Sequence, residues 1–161
     1  MSDPIQWKRG DIQGCTIRDL ELFTDERGWL AEFFRKDELP EGLHPRMGYV
    51  SLTHPGVTRG PHEHEEQTDL FLFFDGYFRV YLWDARADSP THGYRMRLDA
   101  GAARRAALIV PPRVVHAYRN VGDDDALIVN CPNRLYAGEN KQGPVDEIRH
   151  EDRPDSPFKI D

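Results

Sequence analysis

Leu70-Phe-Leu-Phe-Phe74, Asp75-Gly76 and Tyr77-Phe-Arg-Val-Tyr-Leu-Trp83 make up the stretch whose reading decides the fold. Phe78, Val80 and Leu82 alternate with Tyr77, Arg79 and Tyr81, the period of two of a strand with one face turned inward. Asp-Gly between two such runs tolerates the positive φ of a two-residue turn, so the stretch predicts a β-hairpin. The chain keeps this habit on both sides. Trp29–Phe34, Met47–Thr53, Tyr94–Leu98, Ala106–Val110, Val114–Tyr118 and Ala126–Cys131 read as further strands, and Gly122-Asp123-Asp124-Asp125 as a second turn. Lys36–Leu39 reads as one helical turn ended by Pro40. With 12 prolines and 13 glycines in 161 residues, punctuation is frequent enough to favour short strands and leave few or no long helices. Eight or more short strands with close turns predict an all-β sandwich or small barrel.

The length suits a single domain over residues 1–161 with a substantial core. After Tyr136 the composition turns polar, which predicts a carboxy-terminal arm over about residues 137–161. Hydrophobic residues make up 39% and charged residues 30% of the chain, a balance that excludes intrinsic disorder. The net charge of -7 argues against broad nucleic-acid binding, which needs a basic surface, while leaving room for a local basic pocket. Cys15 and Cys131 have neither zinc nor disulfide-framework spacing, and a reducing cytoplasm is the simplest setting for them. Met1–Lys8 lacks the apolar core of a signal peptide. The longest purely apolar runs, Leu70–Phe74 and Ala106–Val110, fall far short of the ~20 residues of a membrane span.

The histidines carry the chemistry. His62 and His64 are two apart, so on a strand both imidazoles share a face. Asp69 follows, then Gly76, and downstream comes Pro111-Pro-Arg-Val-Val-His116-Ala-Tyr-Arg-Asn120. The two segments resemble the paired motifs of the cupins, jelly-roll proteins in which two histidines, an acid and a later histidine converge on a metal. The resemblance implies His62, His64, Asp69 and His116 as ligands, and three imidazoles with a carboxylate suit Fe, Mn, Ni, Zn or Cu. The acid is Asp where cupins usually carry Glu, and Arg113 stands where they usually carry Gly. The other reading is a pair of solvated strand histidines among Glu63, Glu65 and Glu66. His44, His54, His92 and His150 are expected at the surface.

A longer series narrows the family. Asp25-Glu-Arg-Gly-Trp-Leu-Ala-Glu-Phe33, Thr58-Arg-Gly-Pro-His62, Gln67-Thr-Asp-Leu70, Ser89-Pro-Thr-His-Gly93, Ile109-Val-Pro-Pro-Arg-Val-Val-His-Ala-Tyr118 and Asn133-Arg-Leu-Tyr-Ala137 occur in order. From about residue 10 to residue 152 the chain resembles the dTDP-4-dehydrorhamnose 3,5-epimerases, a metal-free cupin branch that needs no cofactor. The resemblance implies a cytoplasmic homodimer formed through exchanged amino-terminal strands. Its implied substrate is a nucleotide-linked 4-keto-6-deoxy sugar, with neither nucleic acid nor membrane as partner. It also implies His62 as the base, His116 and Tyr136 as further catalytic-pocket residues, and Arg27, Glu32 and Arg59 on the substrate. A proton beside a ketone is acidic because the carbanion becomes an enolate, and a neutral imidazole is a suitable base for it.

The catalytic positions depart from that family. Asp69 occupies the place of a lysine beside the developing enolate. Val129-Asn130 occupies the place of the acid tyrosine and its lysine. The family's aspartate that orients the base lies in a longer tail. Three functions therefore stay open: an isomerase or epimerase of nucleotide sugars, a metal-dependent cupin of other chemistry, and a sugar-nucleotide binder without turnover.

Overall fold

The computed structural model describes residues 5–161; Met1–Pro4, the start of the segment read for a leader, lie outside the described residues. The strands are β1 (Lys8–Arg9), β2 (Thr16–Asp19), β3 (Phe23–Asp25), β4 (Gly28–Leu30), β5 (Tyr49–Thr53), β6 (Thr58–Glu63) and β7 (Asp69–Phe73). They continue as β8 (Tyr77–Asp84), β9 (Tyr94–Gly101), β10 (Ala106–Val110), β11 (Val114–Asn120), β12 (Ala126–Asn130) and β13 (Ile148–Arg149). Two sheets, ordered β1-β9-β8-β11-β6-β13 and β2-β10-β7-β12-β5, face each other, and β3 and β4 form a separate hairpin. This is the all-β jelly roll that the punctuation predicts. The described residues contain no α-helix, only a 3-10 turn at Glu139–Lys141.

The alternation in β8 shows why the sheets stack. Phe78, Val80 and Leu82 point between the sheets, where they meet Phe71, Phe73, Leu108, Val110, Tyr118 and Ile128. Tyr81 and Trp83 point the other way and are buried too, because Phe158 of the carboxy-terminal arm covers them with Val115 and Ala117. The arm is therefore packed structure over part of its length. Fully burying an aromatic of this size is worth about 1.5–3 kcal/mol, so Phe158 alone is a firm anchor.

Four sequence expectations change. Asp75-Gly76 does not close a hairpin: β7 and β8 belong to different sheets. Gly76 has the expected positive φ of 59°, but the turn passes the chain across the sandwich, and a Cβ there would lie 2.2 Å from the Ala126 side chain. Trp29–Phe34 is strand only as far as Leu30, and Lys36–Leu39 is a turn without a helix. His150 is buried at 7% exposure, its Nε2–H donating to Glu63 Oε1 at 2.7 Å and its ring packing on Phe158.

Candidate functional site

His62 on β6 lies directly opposite His116 on β11, so one antiparallel pair brings the two imidazoles together. The approach depends on Gly60, whose φ is 85°; a Cβ there would stand 2.6 Å from the His116 carbonyl. His64 follows just beyond the end of β6, and Asp69 opens β7 in the opposite sheet. The site therefore lies where one end of the sandwich opens between the sheets. One ring nitrogen from each of His62, His64 and His116 lies within 4.8 Å of the other two. Asp69 Oδ2 is 3.3 Å from His64 Nε2 and 3.4 Å from His116 Nε2.

Around this cluster opens a cavity of about 650 Å³, within the range of small-molecule sites. His62 forms part of its wall with Arg59, Tyr49, Tyr118, Tyr136 and Glu147. Arg59 donates to Thr53 Oγ1 at 3.0 Å and to the Leu52 carbonyl at 2.7 Å, which fixes its guanidinium at the cavity edge. Tyr136 is largely exposed there. Arg27 and Glu32 are not in this wall. Arg27 sits at the tip of the β3–β4 hairpin, paired with Asp25, and Glu32 is exposed beyond it, 3.6 Å from Arg35.

The carboxy-terminal arm contributes residues that motif spacing could not reveal. Asp146 accepts backbone N–H bonds from Glu65, Glu66 and Gln67 at 2.7, 3.0 and 2.9 Å, and its carbonyl accepts from His64 Nδ1. Glu147 and Glu151 stand 3.9 and 4.0 Å from His62 Nδ1. Lys141 and Arg149 join Arg59 as cationic residues of the wall. A signal was present in the acidic and basic run Asp146–Arg153, but only tertiary structure shows that it returns to β6.

The electrostatics separate the four inner groups. Burial, then the nearby His116 and His64, hold His62 well below the ordinary imidazole range. Burial likewise lowers His116. For His64, burial is outweighed by its hydrogen bond to Asp69, the charge of Asp69 and the Asp146 carbonyl, which push it up to about 9. Burial opposes ionisation of Asp69, but His64 and His116 keep it below the usual carboxylate range. His62 is thus a neutral ring able to accept a proton or bind an electrophile.

The Ser89-Pro-Thr segment has a structural task. Asp84, fully buried on β8, accepts two guanidinium bonds from Arg86 at 2.8 Å and hydroxyl bonds from Ser89 and Thr91 at 2.6 Å.

With this geometry established, relatives are informative. A family profile described as dTDP-4-dehydrorhamnose 3,5-epimerase matches residues 9–152. A probable low-salt glycan biosynthesis epimerase, Agl13 of Haloferax volcanii, is 36% identical over 127 residues, covering 78% of this chain and 81% of that one. The spore coat polysaccharide biosynthesis protein SpsL of Bacillus subtilis is 35% identical over 127 residues, covering 78% and 82%. The crystal structure of a dTDP sugar isomerase from Desulfovibrio desulfuricans superposes with a TM-score of 0.79 at 26% identity, over 92% of this chain and 91% of that one. The matched profile spans both sheets, the opposed histidines and the returning arm as far as residue 152, and the chain belongs to the dTDP-4-dehydrorhamnose 3,5-epimerase family.

Proposed function

We propose that the protein epimerises a nucleotide-linked 4-keto-6-deoxy sugar by removing a proton next to the ketone. The observation that supports this most is a neutral, buried imidazole, His62, facing a cavity edged by Arg59, Lys141 and Arg149. His62 is the base, with the Glu147 and Glu151 carboxylates 3.9 and 4.0 Å from its Nδ1. Tyr136 lines the reacting sugar, whereas His116, buried at 2% exposure and outside the cavity wall, packs edge-on against His62. Arg59 binds the substrate, and guanidinium geometry matches diphosphate oxygens. Cytoplasmic location is supported by the two free thiols, Cys15 and Cys131. No helix of the described residues is long and apolar enough to cross a membrane.

The protein works as a homodimer in this reading. Phe23 and Leu30, paired across the β3–β4 hairpin, are 54% and 61% exposed, and an exposed apolar pair on a projecting hairpin suits contact with a second copy. Arg27 and Glu32 lie outside the cavity of their own chain, so pairing through the β3–β4 hairpin is what would bring them to substrate in a second copy. An alternative, a metal-dependent enzyme of other chemistry, is favoured by the convergence of His62, His64 and His116.

The test is incubation with a dTDP- or UDP-linked 4-keto-6-deoxy sugar in heavy water. Deuterium should appear at C3, C5 or both, and His62→Ala should slow exchange by about 10²–10⁴-fold. Absence of exchange at either carbon with both nucleotides refutes the reading.

A further inference from the structure

We propose that Tyr49 is the catalytic acid that delivers a proton to the sugar from the face opposite His62. The proposal rests on the epimerase reading and follows from its stereochemistry. A base that removes a proton and returns it on the same side exchanges hydrogen but restores the starting configuration. Inversion needs a second group, across the planar enolate, with a proton to give.

His62 lies on β6, in the β1-β9-β8-β11-β6-β13 sheet, so the opposite face of a sugar held between the sheets meets the other one. Four residues from the strands of that other sheet reach the cavity wall: Tyr49 and Ser51 on β5, Asp69 and Phe71 on β7. Phe71 has no acidic proton, and Asp69 is held as the carboxylate. The Ser51 hydroxyl pairs with the Tyr118 hydroxyl at 3.3 Å, and an aliphatic hydroxyl is too weak an acid. Tyr49 is left. Alternation along β5 brings Tyr49 and Ser51 to the wall and keeps Val50 and Leu52 out of it. Arg59, bonded from β6 to Thr53 and Leu52, ties the two strands at that edge. Tyr136 and Lys141, also in the wall, belong to the segment after β12 and to neither sheet.

Tyr49 stands in register with Asn130 of β12, and Asn130 sets the direction of its hydrogen. Asn130 Oδ1 accepts the Leu70 N–H at 3.1 Å, which leaves Nδ2 as the donor. Nδ2 gives one hydrogen to Asp69 Oδ1 at 2.8 Å and the other to the Tyr49 hydroxyl oxygen at 3.0 Å. The tyrosine oxygen therefore accepts in this bond, and its own hydrogen is not spent there. The same amide N–H is already aimed at the phenolate oxygen that proton transfer creates. Burial pushes the phenol up to about 12, so it keeps its proton until an enolate takes it.

In the step, the C–H bond beside the ketone breaks. Its proton passes to the His62 ring, and its electron pair moves into the enolate. The Tyr49 O–H bond then breaks as a C–H bond forms on the opposite face, leaving the phenolate beside Asn130. Water at the open end takes the proton from the imidazolium and restores the phenol.

The experiment incubates the full chain with a dTDP- or UDP-linked 4-keto-6-deoxy sugar in heavy water. Proton NMR reads deuterium uptake and inversion of configuration separately. Wild type should show both. Tyr49→Phe should slow inversion by about 10²–10⁴-fold while exchange with retention stays within about tenfold of wild type. A merely deformed site would lose both together. Tyr136→Phe should leave the ratio of inversion to exchange as in wild type. Circular dichroism checks folding; if Tyr49→Phe fails, Tyr49→Gln, which offers Asn130 an acceptor but has no acidic proton, decides by the same ratio. Inversion at the wild-type rate in the Tyr49 variant, equal loss of inversion and exchange, or a split produced by Tyr136→Phe overturns the proposal. Wild type that exchanges without inverting overturns it too. Wild type without exchange removes the epimerase reading and this acid with it, whereas exchange with unaltered inversion in Tyr49→Phe removes the acid alone.

Discussion

Asp69 and Asp84 are both buried carboxylates at the ends of strands, and they are built in opposite ways. Each oxygen of Asp84 meets a donor, from Arg86, Ser89 or Thr91. Asp69 has one oxygen satisfied by Gln67 and Asn130 and the other facing the His64 and His116 imidazoles at 3.3 and 3.4 Å. A carboxylate saturated with donors has no remaining valence for a ligand, and its place is structural. A half-satisfied one stores an unmet interaction, which marks a functional position. Asp69 lies within the Gln67–Leu70 segment and Asp84 is bonded by the Ser89-Pro-Thr segment, so nearness to a motif cannot separate them.

The largest effect should come from Asp84→Ala. It strands the Arg86 guanidinium, whose side chain is 13% exposed, and uncompensated buried charges cost about 3–5 kcal/mol. Thermal midpoints should fall by about 6–20 °C. Asp69→Asn should cost less than that, because the new amide donates to His116 Nε2, which has no partner among the described residues. Equal losses in the two variants would break the comparison.

Acid sharpens it further. Arg86, Ser89 and Thr91 outweigh burial and hold Asp84 far below the usual carboxylate range. A depressed folded pKa gives stability above the unfolded value of about 3.9 that is lost as pH falls toward the folded value. Wild type should lose stability between about pH 4 and pH 2 more steeply than Asp84→Asn in urea melts. A parallel pH dependence would show that Asp84 is not the titrating group.

The smallest effect belongs to Arg113, which has a φ of 60° and whose N–H donates to the His64 carbonyl at 2.7 Å. Arg113→Gly removes a left-handed penalty of about 1–2 kcal/mol, less the extra freedom glycine gains when unfolded. A net gain of about 0.5–1 kcal/mol is expected in chemical denaturation; a loss would show that the Arg113 side chain matters more than its backbone.

The strands were legible where one face is apolar. Ala106–Val110 matches β10, and Ala126–Cys131 extends one residue past β12. Asp75-Gly76 misled because turn chemistry reports backbone conformation, not which sheet receives the next strand. The imidazoles were legible because strand spacing puts His62 and His64 on one side and the later motif brings His116 opposite them. Asp146, Glu147 and Arg149 were not, since nothing local to residues 144–150 indicates that β13 pairs with β6. Ser89 and Thr91 were visible as a motif, but their service to Asp84 depends on a neighbouring buried charge.

The arm that carries Asp146 has a consequence for how such proteins diverge. Its substitutions can redraw one wall of the cavity while the apolar interior between the sheets stays as it is. Asp146 nevertheless clamps three successive amides beside His64, so change is constrained there and freer at Lys141, Val145 and Arg149. Selectivity for new sugars can thus drift along the arm, whereas the histidine-bearing strands are tied to each other and have little latitude to follow.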